Sequence, residues 1–588
     1  MNFKLFILKI LALIIFINCA EHAIGQTEND TPYIESVYMH VGREVYIAGE
    51  IIWYSAYCLP EGFNEVISKP LYTEMVNAEG VHILGQITEI KDQIASSSIY
   101  IPDTISSGLY FIKSYTNWMR NFSEKKFFLK PIYIYNQYDN NYDQASGNLL
   151  GTHLFRNQED PALIEEDIIR LTLASKEFTV NQMVNVTLKT DENFNGEFCK
   201  LSVSIHKKIN STKDTIPDKN ISDIKTVYKD HKPIKNKQVF VAEDLGILMT
   251  GTVLDIVNEQ PADGLEVILS IIDTIPVLYS STSDIDGRFS FLIKNNRQQE
   301  AYISLFSGGE FAEGKYEIII DPKFHNSEAN MTDDIMQTSS PEKNKFLQEE
   351  AERVMIQKAF GNQNMEFYDS VLNSAAKPKV FYGEPLQVIY PDDYYMLPNF
   401  EEICRELSNR VKYKKTKNSC KISIFQVEEN NFSTNPLVLF DGHPVKDLCV
   451  LYPLNSEDIN KIEVQSALRV SGNLLYNGLV AVYTTDQYKR KNDSFRKKEQ
   501  KFWVPGYTVS PTFSELYGSG NITSSGMSTL PDFKNQLFWQ SGTTLNKTEE
   551  IKLAFTTTDE EGDYIIEIHG ITSEGNLFEK YELINVRR

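Results

Sequence analysis

Chemistry-bearing motifs are what this sequence has least of. It contains no HExxH, GxSxG or P-loop, and no GxGxxG between a strand and a helix. The common metalloprotease, serine-hydrolase, nucleotide and dinucleotide sites are therefore not indicated. Nine histidines are scattered along 588 residues, none of them spaced as a metal-ligating pair. No catalytic, cofactor-binding or metal residue is expected, no cofactor, and no enzyme activity. Cysteine is scarce too: six residues with no CxxC, which argues against a zinc site and a disulfide-rich scaffold. Cys404, Cys420 and Cys449 are close enough to share a domain, where one disulfide is possible. Reduced, buried cysteines acting as small apolar groups are the simpler expectation. Positive charge is short, with 58 Lys plus Arg against 80 Asp plus Glu and a net charge of -22. A nucleic-acid partner would be repelled by that surface. Beyond the N-terminus no apolar run approaches the ~20 residues of a spanning helix, so no transmembrane helix is expected.

Aromatics, by contrast, are plentiful, with 31 Tyr and 33 Phe, and Ala-rich helical runs are few. Such residues suit pleated, half-buried surfaces, which predicts a mainly β protein of several domains. Residues 1–25 have the form of a signal peptide. Lys4 and Lys9 lead into the apolar run 11–17, and Ala23-Ile24-Gly25 offers small residues at cleavage spacing. The mature chain is expected to start at Gln26 and to be exported to the periplasm or cell surface. Lipidation at Cys19 is the rival reading, and the bulky Phe16-Ile17-Asn18 before it argues against it.

Turn signals divide the rest. Residues 31–136 read as an antiparallel sandwich, with strands separated by Asn77-Ala78-Glu79-Gly80 and Ser106-Ser107-Gly108. The stretches VYIAGEIIWYSAY, IPDTISSGLYFIKSYTNWMRNF and FFLKPIYIYN resemble the macroglobulin-type domain of exported Bacteroidetes proteins, with Ala48 where that group has Pro. True macroglobulins trap proteases with a Cys-Gly-Glu-Gln thioester, and that motif is missing here. Residues 137–163 read as linker. A second sandwich is expected over 164–245, with a mobile insert from Lys207 to Lys237. Its FTVNQMVNVTLKT echoes the opening of the first domain, suggesting an internal repeat. Residues 246–321, with GTVLDIVNEQPADGLEVILS and SDIDGRFSF, resemble the carboxypeptidase regulatory-like domain, a non-catalytic sandwich. Asp284-x-Asp286-Gly287 there lacks the further carboxylates of a calcium loop and reads as a hairpin turn. In the helical linker 322–375, a helix is predicted from Pro341 to Phe360, with Phe346, Ala351, Val354, Met355 and Ala359 on its apolar side. It would join the neighbouring domains or pack against either. A C-terminal sandwich is expected over 503–588, behind a charged linker at 489–501.

Residues 376–488 carry the strongest signature. PLVLFDGHPVKDLCVLYPLNSEDINKIEVQSALRVSGNLLYNGLVAVYTT (436–485) reads as a strand, an Asp441-Gly442 turn, a short helix and two further strands. This resembles the plug domain of TonB-dependent outer-membrane receptors, whose pattern runs vlvDGvp, dIe.IeV and ngGvI.i.T. Such a receptor places its plug in a barrel of about 22 strands, or about 220 strand residues. The 102 residues after Asp486 read instead as a soluble sandwich, so this stretch is expected to be a plug without a barrel.

Several residues invite a functional reading and have a plainer one. Trp118 and Arg120 suggest a stacking surface, but packing into the sandwich with local pairing of Arg120 is simpler. Lys412, Lys414, Lys415 and Lys417 suggest a headgroup contact, but a solvated strand-turn accounts for them. His443 reads as a structural turn residue. Asp103-Thr104-Ile105, Asp214-Thr215-Ile216, Asp273-Thr274-Ile275 and Asp369-Ser370-Val371 resemble the Bacteroidetes O-glycosylation signal. Together these readings imply a non-enzymatic cell-envelope scaffold or accessory subunit of an outer-membrane complex. Its partner would be an outer-membrane protein, such as a β-barrel receptor or assembly complex. A surface module binding glycan or peptide for a separate TonB-dependent receptor is the alternative.

Overall fold

The computed structural model describes residues 33–61, 65–139, 168–208, 239–271, 277–294, 297–308, 310–312, 314–326, 342–360, 382–417, 419–427, 429–434, 436–471, 474–491, 501–517 and 532–588. The expected signal segment with Cys19, most of the 137–163 linker, the 209–237 part of the insert and residues 492–500 lie outside these. The molecule is mainly β, built from three sandwiches and one α+β domain. No helix among the described residues is long and apolar enough to cross a membrane.

In the first sandwich, the sheet of Ile34–Val41, Ile51–Glu61 and Ile94–Tyr100 shares a core with a five-stranded sheet that includes Pro70–Asn77, Gly108–Tyr115 and Phe128–Tyr135. Tyr46, Tyr54, Tyr57, Tyr115 and Tyr133 are among its fully buried side chains, which is where much of the aromatic content goes. Inside it, the Tyr54 hydroxyl meets Thr88 at 2.7 Å and Tyr115 donates to Glu74 at 2.7 Å.

The second sandwich corrects the expectation of separate domains at 164–245 and 503–588. One of its sheets holds Phe198–Lys207 between Gln536–Asn546 and Gly562–Thr572. The other holds Met183–Thr190 between Ile169–Leu173 and Glu550–Thr556. Leu201, Val203 and Ile205 bury one face of Phe198–Lys207 against Leu553, Phe555, Ile566 and Ile568. The physical reason is strand supply. A strand buried on both sides needs two hydrogen-bonded neighbours, and among the described residues both come from the C-terminal segment. The described residues between 239 and 517 therefore form an excursion out of one domain.

The excursion contains the third sandwich, with Ile247–Asp255 between Arg288–Ile293 and Tyr316–Ile320 in one sheet, and Val277–Thr282, Glu266–Ile271 and Gln299–Ser307 in the other. Asp284 and Asp286 form a turn. The Asp284 carboxylate accepts the N–H groups of Asp286 and Arg288 at 3.0 and 2.8 Å. The returning chain adds Lys501–Val504 to this domain beside Gln299–Ser307. It then crosses the first sandwich, where Thr508 N–H donates to Ile87 O at 2.7 Å and Ser510 meets Ser97 at 2.7 Å.

Helix α1 (Glu342–Phe360) packs on neither of the domains expected for it. Leu347, Ala351 and Val354, at i, i+4 and i+7, lie against Ile47, Tyr133 and Tyr135 of the first sandwich. Met355, assigned to the apolar face by sequence, is 42% exposed.

In the α+β domain a sheet ordered Gln387–Ile389, Ile459–Ser471, Leu474–Thr484, Leu437–Phe440, His443–Pro444 is covered on one face by α2 (Phe400–Leu407) and a three-stranded sheet. Asn399 caps α2 by accepting the Glu402 N–H at 3.0 Å. Asp441 and Gly442 both have positive φ, 49° and 88°, as the two-residue hairpin turn requires. The Asp441 carboxylate accepts from the N–H and hydroxyl of Thr484 at 2.8 and 2.7 Å, tying the turn to the neighbouring strand. Cys420 and Cys449 form a disulfide, against the expectation of reduced cysteines; Cys404 stays a buried thiol. The bridge joins a strand to a short 3-10 turn, and disulfides persist mainly in oxidising compartments.

Glu243 seals the joint between the first and third sandwiches. Tyr72 donates to both of its oxygens at 3.0 and 2.9 Å, and the Leu248 N–H donates at 2.6 Å. Burial nevertheless raises its carboxyl to about 7. A raised acid contributes stability that is full below its unfolded value near 4.3 and is lost as pH climbs through 7. The shift corresponds to roughly 3 kcal/mol at 1.36 kcal/mol per unit. Glu243→Gln should therefore flatten the fall in thermal stability between pH 4.5 and 8.5; calorimetry of both proteins at the two pH values checks this, and parallel pH profiles would refute it.

Candidate functional site

The alternation that builds the second sandwich also decides what it shows its neighbour. In Phe198–Lys207 the residues Leu201, Val203 and Ile205 point into the core, so Ser202, Ser204 and His206 point outward. On the paired strand Gly562–Thr572, Glu567 and His569 share that outward face, with Ser202 opposite His569 and Ser204 opposite Glu567. This face is covered by the first sandwich rather than by water. His40, Ser202, Ser204, His206 and His569 are all buried, and Glu567 is partly so.

Three histidines thus surround one carboxylate. The Nε2 atoms of His206 and His40 stand 3.3 and 3.6 Å from Glu567, and that of His569 stands 3.9 Å away. Each imidazole is oriented through its other nitrogen. His40 Nδ1 meets Ser202 Oγ at 2.7 Å, His206 Nδ1 meets the Lys207 carbonyl at 3.1 Å, and His569 Nδ1 meets Tyr38 Oη at 2.6 Å. Tyr57 donates to the His569 carbonyl at 2.8 Å and meets Ser202 at 2.7 Å. The rings of His40 and His569 stack at 4.0 Å, with Trp539 at 4.9 Å from His40. Burial lowers the basicity of His40 despite the nearby Glu567. Burial alone would raise the Glu567 carboxyl, but the imidazoles outweigh it and hold it well below the usual range.

These residues correct the view that the histidines are merely scattered, since His40, Glu567 and His569 are grouped closely enough to hold a metal ion. Linear spacing hid them because they come from two distant strands. The available signal was Glu567-x-His569, which at period two puts both groups on one face. A second signal was the run Ser202, Ser204, His206, small and polar where a solvated face would carry longer side chains.

The residues weighed from sequence lie elsewhere. Trp118 Nε1 donates to the Tyr33 carbonyl at 3.0 Å. Arg120 bonds Asn117 at 3.1 Å and lies 3.9 Å over the Phe240 ring. Lys412 and Lys415 lie 3.7 and 3.5 Å over Phe432 and Tyr452. His443 is buried beside Tyr302, ring centroids 5.2 Å apart.

A second feature stands out on the α+β domain. The far face of its main sheet is covered by the third sandwich, through Leu437, Leu439, Leu479 and Ala481 against Ile268 and Phe306. The edge strand Gln387–Ile389 pairs on one side only among the described residues. Around it Leu386, Val388, Tyr390, Tyr394, Tyr395 and Met396 are exposed, the last two by 67% and 62%.

A mainly β, multidomain chain of this kind has counterparts among solved structures, at low similarity. No family model and no curated protein sequence matches the chain. It is similar to trypsin-activated alpha-2-macroglobulin from Escherichia coli, at 9% identity over 94% of this chain and 42% of that one, TM-score 0.23. It is similar also to a Salmonella alpha-2-macroglobulin reacted with methylamine, at 8% identity over 96% and 40%, TM-score 0.23. The Escherichia coli adhesin FdeC matches 48% of this chain and 63% of its own, at 9% identity and TM-score 0.13. The chain spans less than half the length of those macroglobulins.

Proposed function

We propose that this chain is a non-enzymatic, exported cell-envelope scaffold acting through protein–protein contact, with the α+β domain as its docking module for an outer-membrane protein. The observation that carries the reading is the apolar edge at 386–396. Both faces of that sheet are occupied within the molecule, while among the described residues its edge strand pairs on one side only, and around it runs a series of exposed aromatic and aliphatic side chains. Soluble proteins blunt or cover such edges unless another chain adds to them. The resemblance of residues 436–485 to a receptor plug, with the Asp441-Gly442 turn formed, supports an outer-membrane partner. The resemblance of the sandwiches to macroglobulin-type and carboxypeptidase regulatory-like modules supports a binding rather than a catalytic role.

The test is affinity isolation from gently solubilised outer membranes. The wild-type chain should co-purify with an outer-membrane protein in near-stoichiometric amount. A Tyr394→Glu/Tyr395→Glu/Met396→Glu variant, altered only at exposed positions, should lose at least about tenfold of that recovery, or about 1.4 kcal/mol. Recovery of the wild type only as a free monomer would overturn the reading.

A further inference from the structure

We propose that His40, Glu567 and His569 bind a divalent transition-metal ion of the zinc class, clamping the first sandwich to the second. The argument begins with the orphaned atoms. The Nε2 atoms of His40 and His206 are buried and have no hydrogen-bond partner, although both point at the Glu567 carboxylate. A buried polar atom left unsatisfied is costly and calls for an occupant. A water or a proton could serve one imidazole. Two imidazoles and one carboxylate, those of His40, His569 and Glu567, bring their ligand atoms within 4.8 Å of one another and form a ligand set.

The geometry agrees with that set. In a tetrahedral zinc site with bonds near 2.0–2.1 Å, neighbouring ligand atoms stand about 3.3 Å apart. The Nε2 atoms of His40 and His569 stand 3.6 and 3.9 Å from the same Glu567 oxygen, and the ligand atoms of the three residues all lie within 4.8 Å of one another. His206 faces the other Glu567 oxygen at 3.3 Å and is not one of the ligands. Tyr581 Oη meets His569 Nε2 at 3.4 Å, a contact that loading would replace as the three ligands draw together. The outer contacts are also those of a metal site. Ligating histidines ordinarily fix their tautomer through the second nitrogen, and here Ser202 and Tyr38 occupy the Nδ1 atoms of His40 and His569. Two imidazole nitrogens and one carboxylate oxygen suit zinc, with cobalt, nickel and copper as chemical competitors, and suit calcium or magnesium poorly. One ligand comes from the first sandwich and two from the second, so the ion is a cross-link between domains.

The experiment uses the mature full chain, stripped with chelator and dialysed against zinc chloride or cobalt chloride. Elemental analysis should find about one zinc per chain, and thermal unfolding should shift upward on loading. The cobalt form should show the visible bands of a tetrahedral nitrogen–oxygen site. Tyr38→Phe keeps every ligand and removes only the contact orienting His569; it should weaken metal affinity roughly 10–100-fold. His569→Gln should abolish the cobalt bands. A wild-type chain that retains no zinc and unfolds at the same temperature with or without it overturns the proposal. So does a folded His40→Asn/His569→Gln variant, checked by circular dichroism, that still binds one zinc with wild-type affinity. The docking reading does not depend on the outcome, since the 386–396 edge is on a different domain.

Discussion

A chain that stops at residue 531 will lose its second sandwich altogether, although residues 169–207 are still present. The strand Phe198–Lys207 would be left without either of its sheet neighbours, and Met183–Thr190 would lose Glu550–Thr556. Of the 21 buried residues in that core, ten, from Leu537 to Val586, would be gone. At roughly 1.5–3 kcal/mol for each fully buried large apolar side chain, the loss exceeds the ~5–15 kcal/mol that holds a whole domain together. Hydrogen exchange should show 169–207 fully unprotected in the truncated chain, while the third sandwich stays protected. Adding residues 532–588 as a separate fragment should restore protection. Protection of 169–207 in the truncated chain by itself would mean that two independent domains, and not one interrupted domain, are present.

The second large effect is expected at Lys207. Its Nζ is buried between two carboxylates, 2.8 Å from Glu350 of α1 and bonded also to Glu560. Arg353 reaches Glu560 at 2.8 Å. Burial raises the Glu560 carboxyl even with these cations beside it. Lys207→Met keeps the aliphatic volume and removes the charge, leaving Glu350 and Glu560 in a dry site with Arg353 alone. Removing one partner of a buried ion pair costs about 3–5 kcal/mol, and the remaining Arg353 places this case toward the lower end. The helix should then open locally. Exchange of the α1 amides and proteolysis near residue 342 should accelerate on the order of a hundredfold. Glu350→Gln and Glu560→Gln added to Lys207→Met should recover much of the loss, because the harm comes from uncompensated charge. A single variant indistinguishable from wild type would show that Lys207 is not the group that neutralises this site.

Local features were legible in the sequence, and long-range ones were not. Period-two alternation and turn residues are properties of a few neighbouring positions, so the strands and the Asp441-Gly442 hairpin could be read directly. Helix α1 was legible from its periodicity, but its destination was not, because Leu347 and Val354 say only that something apolar covers them. The pairing of Phe198–Lys207 with Gly562–Thr572 spans more than half the chain, and nothing in either strand names its partner. The same distance concealed the histidine cluster. Its members look unremarkable singly, and only the register that puts Ser202 beside His569 brings them together. The Cys420–Cys449 bridge likewise depends on a tertiary approach that spacing along the chain does not reveal.

The interrupted second sandwich also governs the order in which the molecule can be made. During synthesis Phe198–Lys207 emerges more than 300 residues before Gln536–Asn546 and Gly562–Thr572, and it must wait with both edges unpaired. At ~5–20 residues per second, that delay lasts on the order of a quarter of a minute to a minute. Waiting strand edges invite aggregation. The final strands then act as a latch. A polypeptide that lacks them cannot close, and it displays an open sheet edge.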